Sequence, residues 1–281
     1  MIVVTGPTGN VGRPLVRALV RAGEEATAVS RGVTEADVPR GVRYLRADLA
    51  DAEGLRPALD GADALFFHDT GAGAHLLNPR DILDVAKAAG VGRVVLLSSI
   101  GVATRSDSAS HGAIGLSFDA AVRESGMDWT ILRAGGFDSN AYAWVASVRA
   151  ERMIAAPFAN VGLPTVDPDD IAEVAAAALC ADGHAGRVLE LTGPALTTPR
   201  QRAEAIADAL GERIRFVEQT REQAREQMLA FMPPAVVETT LDILGEPTPA
   251  ELRVSPDIEH VLGRAPGAFA DWARRNVEAF R

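Results

Sequence analysis

Three glycines, Gly6, Gly9 and Gly12, follow a short apolar run from Ile2 to Val4 and precede a segment with helical periodicity. The order is strand, tight turn, helix, the context in which glycines at this spacing mark a dinucleotide-binding turn. Gly6 permits the sharp exit from a buried strand, Gly9 lets backbone N–H groups approach a pyrophosphate, and Gly12 allows helix to pack closely on strand. The helix N-terminus then adds unpaired donors and a partial positive charge. Arg31, with Ser30, stands where such a domain reads the adenosine ribose. An acidic residue there bonds the 2′-hydroxyl, whereas an arginine accommodates a 2′-phosphate, so Arg31 favours NADP(H) over NAD(H).

Further residues carry candidate chemistry. His68 leaves the fourth strand, and ligands of open parallel sheets bind beyond the strands' carboxyl ends, so His68, Asp69 and Thr70 are expected near the cofactor. His68 is the best-placed acid with a suitable ordinary pKa, a ribose or backbone contact being the alternative. His111, in the loop after the fifth strand, is either a second acid or a loop or capping residue. Ser98 and Ser99 end that strand, and Ser99 either hydrogen-bonds a substrate carbonyl or caps the strand end. Asp167, Asp169 and Asp170 precede a helix and read as N-capping and dipole compensation. No metal is expected, since no histidine or extra carboxylate is spaced to complete a site. Trp144, Met153, Phe158, Met228, Phe231 and Met232 read as core or as the lining of an apolar pocket. Cys180, the single cysteine, excludes an internal disulfide and reads as a buried core thiol.

The elements that must position these groups follow from periodicity. Val11 to Ala22 sets apolar Val11, Leu15, Ala18 and Leu19 against Arg13, Arg17 and Arg21, an amphipathic helix. Strands are expected over Ala26–Ser30, Val42–Ala47, Ala64–Phe67, Val94–Leu97 and within MDWTILRAGGF, with helices over Asn78–Ala89 and Ala113–Glu124. Asp48 and Leu49, at the end of the third strand, stand where they would frame an adenine. The alternation predicts an α/β protein, a Rossmann-type doubly wound parallel sheet with helices on both faces. Asn140 to Met153 reads as helical. Beyond it come a helix over Asp170–Ala181, a strand over Val188–Leu191, a helix over Arg200–Leu210, a strand over Ile214–Val217, helices across Glu222–Leu244, and an amphipathic helix over Phe269–Phe280. The domains are therefore expected as residues 1–155, an NAD(P)-binding Rossmann domain, and 156–281, a small C-terminal α/β substrate-side lobe packed on the first.

The chain has 281 residues, 47% of them hydrophobic, enough for a substantial core. Its formal charge of −10 disfavours direct nucleic-acid binding. No apolar run is long enough to span a bilayer, and Met1 runs directly into the first strand, so a cytoplasmic protein is expected.

TGPTGNVG at the N-terminus, ADL after the third strand, LLSSIG after the fifth, SGMDWTILRAGGF at the sixth and VDPDDIAEVAAAAL beyond it resemble the NmrA-like, atypical branch of the short-chain dehydrogenase/reductases. The resemblance covers most of the chain, including the C-terminal LTGPALTTPRQRAEAIADALGERIRFV. It implies that Gly6, Thr8, Gly9, Asn10, Val11 and Gly12 hold the pyrophosphate, Arg31 the adenosine phosphate, and Asp48 and Leu49 the adenine. Phe67 and His68 would meet the nicotinamide-side ribose, with Gly135 to Phe137 beside the nicotinamide. Catalytic members of the superfamily use a tyrosine and, four residues on, a lysine that lowers its pKa. This chain has only Tyr44 and Tyr142, and its sole lysine is Lys87, so it contains no such pair. The pair's positions fall at Gly115 and Asp119.

Three functions stay open on these grounds. The first is an NAD(P)H-dependent oxidoreductase passing hydride to a small quinone or carbonyl compound, with the proton from water, His68 or His111. The second is a non-catalytic NADP(H)-binding sensor acting through a protein partner. The third is a non-redox cyclase or isomerase using the inherited pocket. A homo-oligomer is compatible with each.

Overall fold

The computed structural model describes residues 1–68, 76–108 and 110–281. Asp69 and Thr70 lie outside the described residues.

The first half alternates strands and helices: β1 (Ile2–Thr5), α1 (Gly12–Arg21), β2 (Ala26–Ser30), β3 (Arg43–Arg46), the short α2 (Arg56–Leu59), β4 (Ala64–His68), α3 (Pro79–Ala88), β5 (Arg93–Ser99), the short α4 (Gly101–Thr104), α5 (Ala113–Glu124) and β6 (Asp128–Ala134). The chain continues through α6 (Val145–Glu151), β7 (Met153–Pro157), α7 (Pro168–Cys180), β8 (Arg187–Leu191), α8 (Pro199–Leu210), β9 (Arg215–Gln219), α9 (Arg221–Leu229), α10 (Pro234–Gly245), α11 (Asp257–Leu262) and α12 (Phe269–Arg275).

Seven strands form one parallel sheet in the order β3-β2-β1-β4-β5-β6-β8. The order reverses between β1 and β4, so the crevice at their carboxyl ends is the topological switch point where ligands of doubly wound folds bind. Strands covered on both faces read as continuous apolar runs, and their side chains alternate between two cores. Ile2, Val4, Ala64 and Phe66 pack with α1 and α7. Val3, Leu65 and Phe67 pack on the other face with α3 and α5.

The parallel sheet continues past residue 155. Helix α7 packs on α1, and β8 pairs with β6, so both complete the N-terminal layer. The outer lobe is assembled instead from separated segments. β7 pairs in parallel with β9, and α8 packs against α12 over a core containing Val148, Ile154, Ile206, Trp272 and Phe280.

Local chemistry explains the departures from the expected elements. The stretch read as one helix from Asn140 to Met153 is a 3-10 turn over Asp138–Trp144, then α6, then β7, with the break at Arg152 in the left-handed region (φ 48°). Pro233 separates α9 from α10. α12 stops at Arg275 and a 3-10 turn, Val277–Phe280, closes the chain. Cys180, expected in the core, is exposed: it is the last residue of α7, where the helix leaves the sheet. Among the described residues no helix is long and apolar enough to cross a membrane.

Candidate dinucleotide and substrate site

The loop between β1 and α1 is built around its glycines. Gly6 adopts φ +61°, a region that favours glycine. A Cβ on Gly12 would run into the Gly6 carbonyl, so the start of α1 lies directly against the strand exit. Gly9 N–H donates to Gly6 O at 3.1 Å and Arg13 N–H to Gly9 O at 3.1 Å, closing the turn. Within it the N–H groups of Asn10, Val11 and Gly12 have no acceptor among the described residues, and α1 has no side-chain cap. Helix first turns favour acids, yet this one has none and carries Arg13 instead. Three unbonded N–H groups, a helix N-terminus and an arginine suit an anion, so the loop fits the pyrophosphate of a dinucleotide. Val11 is buried in the core and offers its backbone only, whereas Thr8 and Asn10 are exposed.

After β2, Arg31 is exposed, with no hydrogen bond or ion pair to another described residue. Arg13 lies near the same edge: it donates to Thr8 O at 3.4 Å, and its charge helps hold the Asp37 carboxyl below its ordinary pKa, after the larger effect of the Thr34 hydrogen bonds. Sequence reading passed over Arg13 as part of an arginine-rich helix face, although its place directly after Gly12 was a signal. Asp48 is exposed and its Oδ1 accepts from Ala50 N–H at 3.0 Å, forming a small turn; Leu49 packs against the core.

The candidate catalytic residues divide into two groups. A Cβ on Gly6 would come within 2.7 Å of His68 Nε2, so the imidazole stands over the glycine turn. The Phe67 ring is fully buried and stacks on Phe118 with centroids 5.3 Å apart, leaving only its backbone for a ligand. On the neighbouring strand, Ser99 Oγ accepts from Gly101 N–H at 3.1 Å. Gly101 also packs against His111, so Ser99 and His111 converge on one turn. His111 Nδ1 pairs with Ser110 Oγ at 2.9 Å, and Nε2 lies 3.4 Å from Thr240 Oγ1 of α10. Burial, then the nearby Arg105 cation, pushes its pKa below the usual histidine value, which favours the neutral ring.

That turn is tied to the outer lobe. Ser108 and Ser110 meet Thr239 at 3.2 Å each, and Arg105 grips the buried Glu251 through Nε–Oε1 (2.7 Å) and Nη2–Oε2 (2.9 Å) contacts. Of the apolar candidates, Phe158, Met228 and Met232 pack together around α9 and α10, Trp144 joins the α8–α12 core, and Phe231 is exposed.

Tyr142 donates to Asn276 Oδ1 at 2.6 Å and Lys87 to Ser125 O at 2.8 Å. Gly115 is buried in α5, and Asp119 accepts from Ser98 Oγ (3.0 Å) and Arg133 Nη2 (2.6 Å).

The exit of β6 closes the other side of the crevice. Gly135 N–H donates to Leu191 O, and Phe137 bridges to Val166. The next two residues went unnoticed in the sequence. Ser139 Oγ accepts from Asn10 Nδ2 at 3.0 Å, and Asp138 is 1% exposed with neither carboxylate oxygen hydrogen-bonded. Burial, reinforced by the Asp167 and Asp170 charges, pushes its pKa up to about 6 despite Thr165 and Arg202 nearby. The acidic run does more than cap. Asp167 caps α7 by accepting from Asp169 N–H (3.0 Å), but it and Asp170 are also buried and paired with Arg275 and Arg264.

A seven-stranded doubly wound sheet with an anion-cradling glycine turn at its switch point defines a dinucleotide-binding protein of the Rossmann class. The NAD(P)H-binding family model matches residues 6–182. Over 283 residues, spanning 100% of this chain and 99% of the relative, it is 32% identical to (4-alkanoyl-5-oxo-2,5-dihydrofuran-3-yl)methyl phosphate reductase of Streptomyces griseus. It is 30% identical to NAD(P)H azoreductase of Xenophilus azovorans, over 100% of this chain and 99% of that one. Its fold matches an NADPH-dependent quinone oxidoreductase of Escherichia coli complexed with NADPH, with TM-score 0.80, 20% identity and coverage of 98% and 99% of the two chains. The chain belongs to the NAD(P)H-binding family and is an NAD(P)H-dependent oxidoreductase.

Proposed function

We propose that this oxidoreductase uses NADPH to reduce a small quinone or carbonyl compound, without a tyrosine–lysine pair. The carrying observation is a juxtaposition at the sheet's carboxyl edge. The glycine cradle with its unbonded N–H groups lies at β1, and the Ser99–His111 turn lies two strands away at β5. When bound, the reduced nicotinamide supplies the hydride. The chain's own residues bind and orient. Asn10, Val11 and Gly12 hold the pyrophosphate by backbone donors, and Arg31, with Arg13 at the same edge, receives the 2′-phosphate. His68 steadies the phosphate loop side, and Gly135 and Phe137 border the nicotinamide. Ser99 and His111 present hydrogen-bonding groups to an acceptor oxygen, and the proton comes from water or through His111 or His68. An acceptor that needs little proton assistance suits a site lacking Tyr and Lys at the usual spacing. The names of the full-length relatives, both reductases, support the same reaction class.

The test is to mix the protein with NADPH or NADH and a panel of quinones and carbonyl compounds, following nicotinamide absorbance. Turnover with NADPH is expected. Tight NADPH binding with no turnover across the panel overturns the reductase reading in favour of the sensor. Arg31→Ala is expected to weaken NADPH much more than NADH, and equal losses refute its role at the 2′-phosphate.

A further inference from the structure

Of the buried carboxylates that meet beside α7, Asp138 stands apart. Asp167 is paired with Arg275, and Asp170 with Arg264 and the Gly267 N–H. Asp138 is as deeply buried, yet neither oxygen is hydrogen-bonded, and the Arg202 Nε of α8 is likewise buried and unbonded. Thr165 lies alongside, its hydroxyl 3.3 Å from Thr197 Oγ1 and near enough to Asp138 to offset part of the burial effect on the carboxyl. The groups facing Asp138 are thus Thr165, the acids Asp167 and Asp170 of α7, and the cation Arg202 of α8.

The position gives this charge a route to the cofactor loop. Asp138 directly follows the Gly135–Phe137 segment, and the adjoining Ser139 accepts from Asn10 of the phosphate loop at 3.0 Å. The same 3-10 turn continues to Tyr142, whose ring packs on Trp272 and Phe280 of the outer lobe (centroids 5.1 and 6.3 Å). A buried charge is little screened by solvent, so its field extends to the neighbouring loop.

We propose that Asp138 couples proton binding to cofactor binding: its ionised form opposes the dinucleotide's phosphates and loosens the loop through Ser139 and Asn10, and its neutral form releases that opposition. Loading the cofactor therefore takes up part of a proton at Asp138, and affinity rises as Asp138 is protonated. This rests on the NADP(H) reading of the glycine loop. Asp138 acts here as a positioning residue, through other groups.

The experiment is calorimetric titration of the full chain with NADPH between pH 5 and 8 (about half-unit steps), in buffers of different ionisation heat. Asp138→Asn is compared with the parent at each pH, so that ionisation of the 2′-phosphate cancels. At the alkaline end Asp138→Asn is expected to bind NADPH about tenfold tighter than the parent, the order of one unit-charge repulsion across protein interior. At the acid end the two converge, and the proton uptake of the parent near neutrality exceeds that of the variant. Asp138→Ser, smaller and neutral, repeats the comparison should the amide disturb packing. A Kd ratio that stays constant with pH, or an unchanged proton uptake, overturns the proposal while leaving cofactor binding intact. Absence of NADPH binding by parent and variants alike refutes the cofactor reading itself.

Discussion

Asp138→Asn carries a quantitative prediction for stability without ligand. The folded protein holds the Asp138 proton with a pKa of about 6, against an ordinary value of 3.8, with desolvation the leading cause. Below the ordinary value the carboxyl is protonated in folded and unfolded chains alike and contributes nothing. Between about pH 4 and pH 6 the unfolded chain ionises while the folded one keeps its proton, so folding is progressively penalised by this group. Above about pH 6 both are ionised and the penalty is constant, at about 3 kcal/mol for a displacement of about two pH units. The side chain is 1% exposed, so solvent screening does not diminish the figure. Asparagine removes the titration. Denaturant unfolding at pH 4 and pH 7.5 is therefore expected to show the variant gaining about 2.5 kcal/mol relative to the parent across that interval, since part of the penalty is already present at pH 4. The comparison between two pH values cancels any constant packing cost of the amide. A parallel pH dependence for parent and variant would refute the claim that Asp138 is buried as an unpaired acid.

Three further perturbations follow from the geometry. Gly12→Ala drives a Cβ into the Gly6 carbonyl, so helix and loop must part. A cost of about 1–3 kcal/mol is expected, with loss of measurable NADPH binding, and a variant that binds normally would show that the cradle is not the phosphate site. Glu251→Ala strips Arg105 of its bidentate partner. Unfolding should cost about 2–3 kcal/mol less, under the fully buried case because water still reaches Arg105, and an unchanged stability would deny that this pair holds the lobe to the β5 turn. His68→Ala removes the ring above Gly6. Steady-state kinetics should show KM for NADPH rising more than kcat falls, whereas a loss confined to kcat would make His68 the proton donor.

The sequence made the N-terminal layer legible because both of its signals are local. Apolar runs such as Ile2–Val4 and Val94–Leu97 are strands buried on both faces, and the glycine spacing is dictated by contacts within a dozen residues. The outer lobe was harder to read, for a physical reason. β7 is held by its pairing with β9, about sixty residues on, and no local periodicity encodes such a partner. Asp138 was invisible for the same reason: its character comes from Asp167, Asp170 and Arg202, brought from two later helices. Cys180 departs from its expected place in the core through its position, since the last residue of a buried helix emerges from the core.

The positions at which the family resemblance would put the tyrosine and lysine, 115 and 119, carry other work in this fold. Asp119 is 3% exposed and binds Ser98 and Arg133, which are themselves register partners on β5 and β6. A lysine at 119 would face the Arg133 guanidinium and remove the acceptor of the buried Ser98 hydroxyl. Gly115 is buried too, so a tyrosine there must displace its surroundings to reach the crevice. Restoring the pair by Gly115→Tyr and Asp119→Lys is therefore expected to destabilise the protein by about 3–5 kcal/mol, the cost of leaving a buried charge unpaired. Adding Arg133→Leu and Ser98→Ala should recover much of that loss, which denaturant unfolding of the double and quadruple variants would measure. If the double variant is as stable as the parent and gains carbonyl reduction, the pair was simply lost by drift. If it collapses and the quadruple recovers, the β5–α5–β6 junction is built around a set of charges that excludes the pair.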